Sequence, residues 1–151
     1  TLDMTIDDWH RVLDINLTGT LHCCRAAVAV MSRQGHGKIV NVASSASKQP
    51  HANAAPSYGA SKAGVLYLTR HIAREYAARG VTVNAVCPGP IETDMTDQWT
   101  PEYRDSVMRK IPLGRIGKPE EVASAILFLC SEGADFIVGE AINVNGGTFM
   151  D

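Results

Sequence analysis

Two short runs of the same kind, residues 38–43 (KIVNVA) and 81–87 (VTVNAVC), flank a segment long enough for a helix. Both are rich in β-branched and apolar residues along their length. That is how a strand reads when both of its faces are buried. Strands of this type are joined through a crossover, usually a helix, so the pair predicts a parallel sheet with helices packed on it. The intervening sequence fits. Residues 44–56 are rich in Ser, Ala, Pro and Asn and read as a loop. A helix over residues 57–79 follows and stops at Gly80, a residue suited to the left-handed position after a helix. Pro88-Gly89-Pro90 halts the second strand.

The flanking sequence extends the pattern. Thr5 with Asp8 three residues later reads as a capping box, and Asp7 adds negative charge at the positive end of the helix dipole. Trp9, Val12, Leu13, Leu17, Leu21, Cys24, Val28 and Met31 recur at helical spacing, predicting one helix that ends before Gly35-His36-Gly37. Pro101 and Pro119 stand where helices can begin. The second of these helices is strongly apolar through Val122, Ala123, Ile126, Leu127 and Leu129. A last short strand, residues 141–144, leads into Gly146-Gly147. The order helix, strand, helix, strand, two helices, strand predicts one α/β domain over residues 1–151, a parallel sheet with helices on both faces.

Composition narrows the function classes. The 151 residues carry a net charge of −2 with no basic run, which argues against nucleic acid and anionic membranes as partners. No apolar stretch approaches a membrane span, and the N-terminus lacks a signal-peptide pattern. Cys23, Cys24, Cys87 and Cys130 form no C-x-x-C and sit among apolar residues, so buried thiols in a reducing, cytoplasmic compartment are expected. His10, His22, His36, His51 and His71 form no ligand pair, and no metal site is expected.

In open parallel sheets, ligands bind beyond the carboxyl ends of the strands. Ser44 and Ser45 follow the first strand, Pro88-Gly89 follows the second, and Tyr58 opens the helix after the serine loop. Lys62 lies one turn beyond Tyr58 on the same helix face. An ammonium fixed there stabilises a phenolate and makes Tyr58 a usable general acid or base near neutrality. A core-edge tyrosine beside a solvated lysine has the same spacing, so the pair counts through its company.

That company resembles the classical short-chain dehydrogenases/reductases. Asp14 to Thr20 (DINLTGT) resembles the family's asparagine helix, and Gly37 to Ser45 (GKIVNVASS) its serine strand. Ser57 to Gly64 (SYGASKAG) resembles its Tyr-x-x-x-Lys helix, and Val83 to Thr93 (VNAVCPGPIET) its cofactor loop. Leu113 to Val122 (LGRIGKPEEV) and Val144 to Gly147 (VNGG) complete the match. The resemblance implies a Rossmann-like, doubly wound sheet and a tetrad of Asn16, Ser45, Tyr58 and Lys62. Ser45 stands thirteen residues before Tyr58, the family's commonest spacing, with Ser44 its neighbour and Ser47 the substitute for a different loop length. Tyr58 would exchange a proton with the substrate oxygen, and Ser45 would polarise that oxygen. Lys62 would also bind the nicotinamide ribose, and Asn16 would hold a water linking Lys62 to solvent. Pro88, Gly89, Ile91 and Thr93, together with Tyr58 and Lys62, would bind NAD or NADP. In this reading Gly89 admits the backbone to the cofactor, while the Ile91 backbone and Thr93 hydroxyl meet its carboxamide and phosphates. His51, Met95 and Trp99 are further positions for a substrate pocket, although packing or surface is the commoner role of each. Residues 94–112 resemble the family's variable substrate lid.

The family's opening strand, Gly-x-x-x-Gly-x-Gly turn and Asn-Asn-Ala-Gly stretch have no counterpart here, so the chain resembles the catalytic C-terminal portion. The first strand would then become an exposed apolar edge. The expected function is NAD(P)-dependent interconversion of an alcohol and a ketone, of 3-oxoacyl reductase, sugar dehydrogenase or small-alcohol dehydrogenase type. Full activity would need the absent segment. The alternatives are a non-catalytic fold fragment active only in packing or oligomerisation, and a lyase or epimerase reusing the same tyrosine and lysine. The resemblance also implies a homo-oligomer, tetramer or dimer, acting on a small carbonyl or alcohol substrate.

Overall fold

A computed structural model of the chain describes residues 1–51 and 54–151, the side chain of Met95 excepted. Helix α1 (Ile6–Leu13) passes through a π-helical segment, Asp14–Thr18, into α2 (Gly19–Gln34). Strand β1 (Gly37–Val42), helix α3 (Pro56–Tyr76) and strand β2 (Val81–Pro88) form the crossover unit. Helices α4 (Asp94–Asp97), α5 (Pro101–Met108) and α6 (Pro119–Cys130) precede strand β3 (Ala141–Val144). The strands form a parallel sheet in the order β1-β2-β3. Strand β1 is at its edge, and Val42 is 50% exposed there.

Strand β2 is buried on both faces, as its sequence predicts. Val81, Val83, Ala85 and Cys87 pack against helices α2 and α3 and their neighbours. Val86 points the other way, into a cluster with Leu129 of α6 and with Val40 and Ile142 of the flanking strands. Alternate residues of one strand thus anchor helices on opposite faces. Two buried asparagines add specificity. Asn41 donates to Thr69 Oγ1 (2.9 Å) and accepts from Cys24 Sγ (3.4 Å), which links β1, α3 and α2. Asn84 donates to Ile137 O (2.8 Å) and accepts from Glu140 N (2.9 Å), which fixes the entry to β3. A buried amide bonded at both ends avoids the cost of an unpaired polar group.

Four sequence expectations change. The first helix contains a π segment, in which Gly19 N–H bonds Asp14 O; this wider turn slips the phase of the apolar stripe, and Leu21 is exposed. Asp8 N–H donates to Thr5 Oγ1 (3.0 Å), but the threonine hydroxyl donates to the Asp8 carboxylate (2.8 Å), so Thr5 carries both bonds of this cap. Cys24 and Cys87 are buried, whereas Cys23 and Cys130 are exposed. Cys23 is about 100° around the helix from its buried neighbour. Leu127 and Phe128 of α6 are exposed, because this helix turns Leu129 to the sheet.

Two glycine turns press together at the amino end of the sheet. Gly35 and Gly80 have φ of 75° and 77°, and a Cβ on Gly80 would lie 1.9 Å from Gly35 O. Gly37 N–H donates to Gly80 O (3.1 Å), which starts the register that pairs Gly37 with Val81. Gly80→Ala therefore meets both strain and a backbone clash, and is expected to cost about 2–4 kcal/mol. Urea unfolding checks this, and an unchanged midpoint contradicts the register account.

Candidate active site

Tyr58 enters from the first turn of α3. Pro56 sets the helical start, and Ala55 O accepts from Tyr58 N (3.0 Å) and Gly59 N (3.3 Å). One turn later Lys62 Nζ donates to Val42 O (2.9 Å), at the carboxyl end of β1, and lies 5.9 Å from the centroid of the Tyr58 ring. Burial pushes the Lys62 ammonium down from the ordinary lysine value. An ammonium carries three N–H groups, so the bond to Val42 does not exhaust it.

The three serines after β1 have different surroundings. Ser44 Oγ accepts from Ala46 N (3.1 Å), and Ser47 Oγ bonds back to Ser44 O, so both close the turn. Ser45 is buried, and its Oγ lies 3.0 Å from His51 Nε2. Gly59 lets α3 close on this turn, since a Cβ there would lie 3.3 Å from Ala46 O.

Two clefts meet at Tyr58. One, of about 340 Å³, is lined by Ser45, His51, Tyr58, Trp99, Tyr103 and Lys110 among others. The other, of about 530 Å³, brings together Tyr58, Lys62, Pro88, Gly89, Ile91 and Thr93, with Ile126 of α6 in the same wall. Ser44, Tyr58, Pro90 and Trp99 line both. The chemistry divides accordingly. The smaller cleft offers the Ser45 hydroxyl, the His51 ring and Lys110 beside apolar and aromatic walls, the larger offers Lys62 and a loop of backbone, and the Tyr58 phenol lines both.

Asn16 lines neither cleft. Its Nδ2 donates to Ser61 Oγ (3.1 Å), and Ser61 Oγ donates to Tyr58 O (2.8 Å). The π segment thus braces the turn of α3 that carries Tyr58 and Lys62. Gly64 permits the approach, because a Cβ there would lie 2.8 Å from Leu17 Cδ2.

The loop after β2 gives two residues structural reasons that the sequence did not suggest. A Cβ on Gly89 would lie 2.9 Å from Asn145 Cα, so close packing on the segment after β3 already requires glycine. Thr93 N–H donates to Thr96 Oγ1 (2.8 Å) at the start of α4. Ile91 bridges Gly117 through bonds made by its neighbours: Gly117 N donates to Pro90 O (3.0 Å) and Glu92 N to Gly117 O (2.8 Å). The N–H and C=O of Ile91 itself take no part in that bridge.

His51 and Trp99 line the smaller cleft, whereas the Met95 side chain lies outside the described residues. Gln49 and Thr148 also line it and were not anticipated, as do Tyr103, Val107 and Lys110, which fall in the 94–112 segment but were not singled out. Tyr103, Val107 and Lys110 share a helical spacing that marks one face, which could have found them. Thr148 carries no such signal. Among the described residues, no group of three His, Cys, Asp or Glu could hold a metal ion, and no helix is long and apolar enough to cross a membrane.

A family model described as enoyl-(acyl carrier protein) reductase matches residues 1–148. The chain belongs to the short-chain dehydrogenase/reductase family. This family member is 46% identical over 148 residues to the 3-oxoacyl-(acyl-carrier-protein) reductase FabG of Aquifex aeolicus (strain VF5), covering 98% of the chain and 59% of the relative. It is 43% identical over 147 residues to the enzyme of the same name from Vibrio cholerae serotype O1, covering 97% and 60%. A crystal structure of 3-oxoacyl-(acyl-carrier protein) reductase from Brucella melitensis superimposes with a TM-score of 0.97 at 36% identity, covering 100% of this chain and 56% of that one. The chain therefore spans somewhat less than two thirds of the length of these relatives.

The start of α6 in this short-chain dehydrogenase/reductase is held by a local cluster of charge-assisted bonds. Glu121 accepts from Arg115 Nη1 and Nη2 (2.8 and 2.6 Å) and from Lys118 N (2.7 Å). The Arg115 guanidinium is the main cause that draws its carboxyl from 4.5 to about 2. A lowered acid pKa contributes stability that is present above pH 4.5 and lost as pH falls toward 2. Glu121→Gln should accordingly lower the melting temperature by a constant amount between pH 7 and pH 5. Thermal melts should show the gap closing below that window; a gap that persists at pH 2 contradicts the assignment.

Proposed function

We propose that this chain forms the proton-transfer and nicotinamide-binding part of an NAD(P)-dependent oxidoreductase that interconverts a ketone and an alcohol, with a 3-oxoacyl thioester as the favoured substrate. The observation that carries the reading is the meeting of two chemically different clefts at Tyr58. The names of the relatives support the substrate class.

In the larger cleft, Lys62 has N–H groups to offer ribose hydroxyls, and the peptide of Ile91 is suited to a carboxamide. Pro88, Gly89 and Thr93 would form the remaining wall. When bound, the nicotinamide supplies or accepts the hydride. Tyr58 then donates a proton to the carbonyl oxygen during reduction and takes it back during oxidation. Ser45 donates a hydrogen bond to the same oxygen and stabilises the negative charge that develops on it. The Lys62 charge stabilises the phenolate left on Tyr58. Asn16 acts through Ser61, holding the turn on which both residues depend.

The two clefts are proposed to hold only the nicotinamide half of NAD or NADP and not its adenosine half. Titration of the 151-residue chain with NADH and NADPH should therefore show only weak binding, and micromolar affinity for either overturns that division. Exposed Tyr67, Leu127 and Phe128 support a homo-oligomer, tetramer or dimer.

The activity is tested by following NAD(P)H consumption with a 3-oxoacyl thioester, using the polypeptide that carries this chain. Tyr58→Phe should reduce turnover by about 10³-fold, the scale of a lost general acid, with the circular dichroism spectrum unchanged. Full turnover in the folded variant would leave the chain as a packing or oligomerisation element instead.

A further inference from the structure

We propose that His51 is the positioning residue for Ser45, holding its hydroxyl so that the hydrogen is presented to the substrate carbonyl. This rests on the roles given above to Ser45 and Tyr58. His51 Nε2 lies 3.0 Å from Ser45 Oγ, and both residues line the cleft that Tyr58 closes. His51 is itself placed by its backbone, its carbonyl accepting from Ala54 N (3.1 Å).

A serine hydroxyl has one hydrogen and two acceptor positions. When Nε2 carries a hydrogen, Ser45 accepts from it, and its own hydrogen is left for a carbonyl oxygen beside Tyr58. When Nε2 is bare, Ser45 spends its hydrogen on the ring and offers the substrate only a lone pair, which cannot polarise a ketone. The first arrangement also strengthens the Ser45 donor, since a hydroxyl that accepts a hydrogen bond donates a better one. The titratable groups that share clefts with His51 are Lys48, Tyr58, Tyr103 and Lys110, with no carboxylate among them. Lys48 is engaged by Asp151 at 2.5 Å. No acidic side chain lines these clefts, so in the proposed tautomer the Nε2 hydrogen goes to Ser45 Oγ at 3.0 Å.

The test combines His51→Leu, which removes the donor, with His51→Gln, which restores an N–H without an imidazole. His51→Leu should lower kcat for ketone reduction about tenfold, the scale of one weakened hydrogen bond to the reacting oxygen, with KM little changed. His51→Gln should recover most of the loss. In a Ser45→Ala background, His51→Leu should have no further effect, because its partner is gone. Additive losses in the double variant, or full activity in His51→Leu, overturn the proposal. A second measurement is independent of turnover and so separates failure of this inference from failure of the catalytic reading. The ring ¹⁵N resonances of His51 should move in Ser45→Ala while those of the other four histidines stay in place; unmoved resonances overturn the bond itself.

Discussion

The parallel pairing of β1 with β2 is the constraint on which the site depends. Its register sets Val42 opposite Val86, and the Ala43 N–H continues the ladder to Val86 O at 2.9 Å. Val42 then offers the carbonyl that holds Lys62, Ser45 follows within three residues, and Pro88-Gly89 leaves β2 at the same edge. A slip of one residue would reverse every side chain of the strand and remove all three relationships together. The ladder is held at its start by the opposed Gly35 and Gly80 turns, and near its carboxyl end by the Asn41 bonds to α2 and α3.

Helix α3 converts that edge into a site. Its buried face packs on the sheet through Val65, Leu66, Ile72 and Ala73, which fixes its rotation and therefore where Tyr58 and Lys62 point. The partially buried lysine is held against the tendency of a charge to remain in water, and Val42 O offsets part of that cost. The π segment does similar work from the other side. It brings Asn16 to Ser61 and Leu17 to Gly64, and π turns are a recurrent way of reshaping a helix near a functional centre.

The sheet and its helices were legible because β2 and α3 declare their burial through composition and spacing. The π turn was not, since one wider turn leaves an apolar spacing of three and four residues nearly intact. Motif spacing selected Ser45 over Ser44 and Ser47; the reason they differ, that the other two close the turn, is visible only in three dimensions. Gly89 shows the opposite case. Its position suggested backbone approach to a ligand, whereas the nearest atoms to a Cβ belong to Asn145, distant in sequence. The wall of the smaller cleft drew least on sequence pattern, because it is assembled from the serine loop, α5 with the turn after it, and Thr148. His51 became informative only once its ring was seen against Ser45.

The central claim is that the two clefts form one reaction centre at Tyr58, the larger for the nicotinamide and the smaller for the carbonyl. The most direct test is isotope transfer in the polypeptide that carries this chain, using a nicotinamide cofactor deuterated at C4 and a 3-oxoacyl thioester. With deuterium on the face from which hydride leaves, the account predicts alcohol labelled on the carbon that bears the new hydroxyl. Deuterium retained in the cofactor for both C4 epimers, with product formed unlabelled, would contradict it.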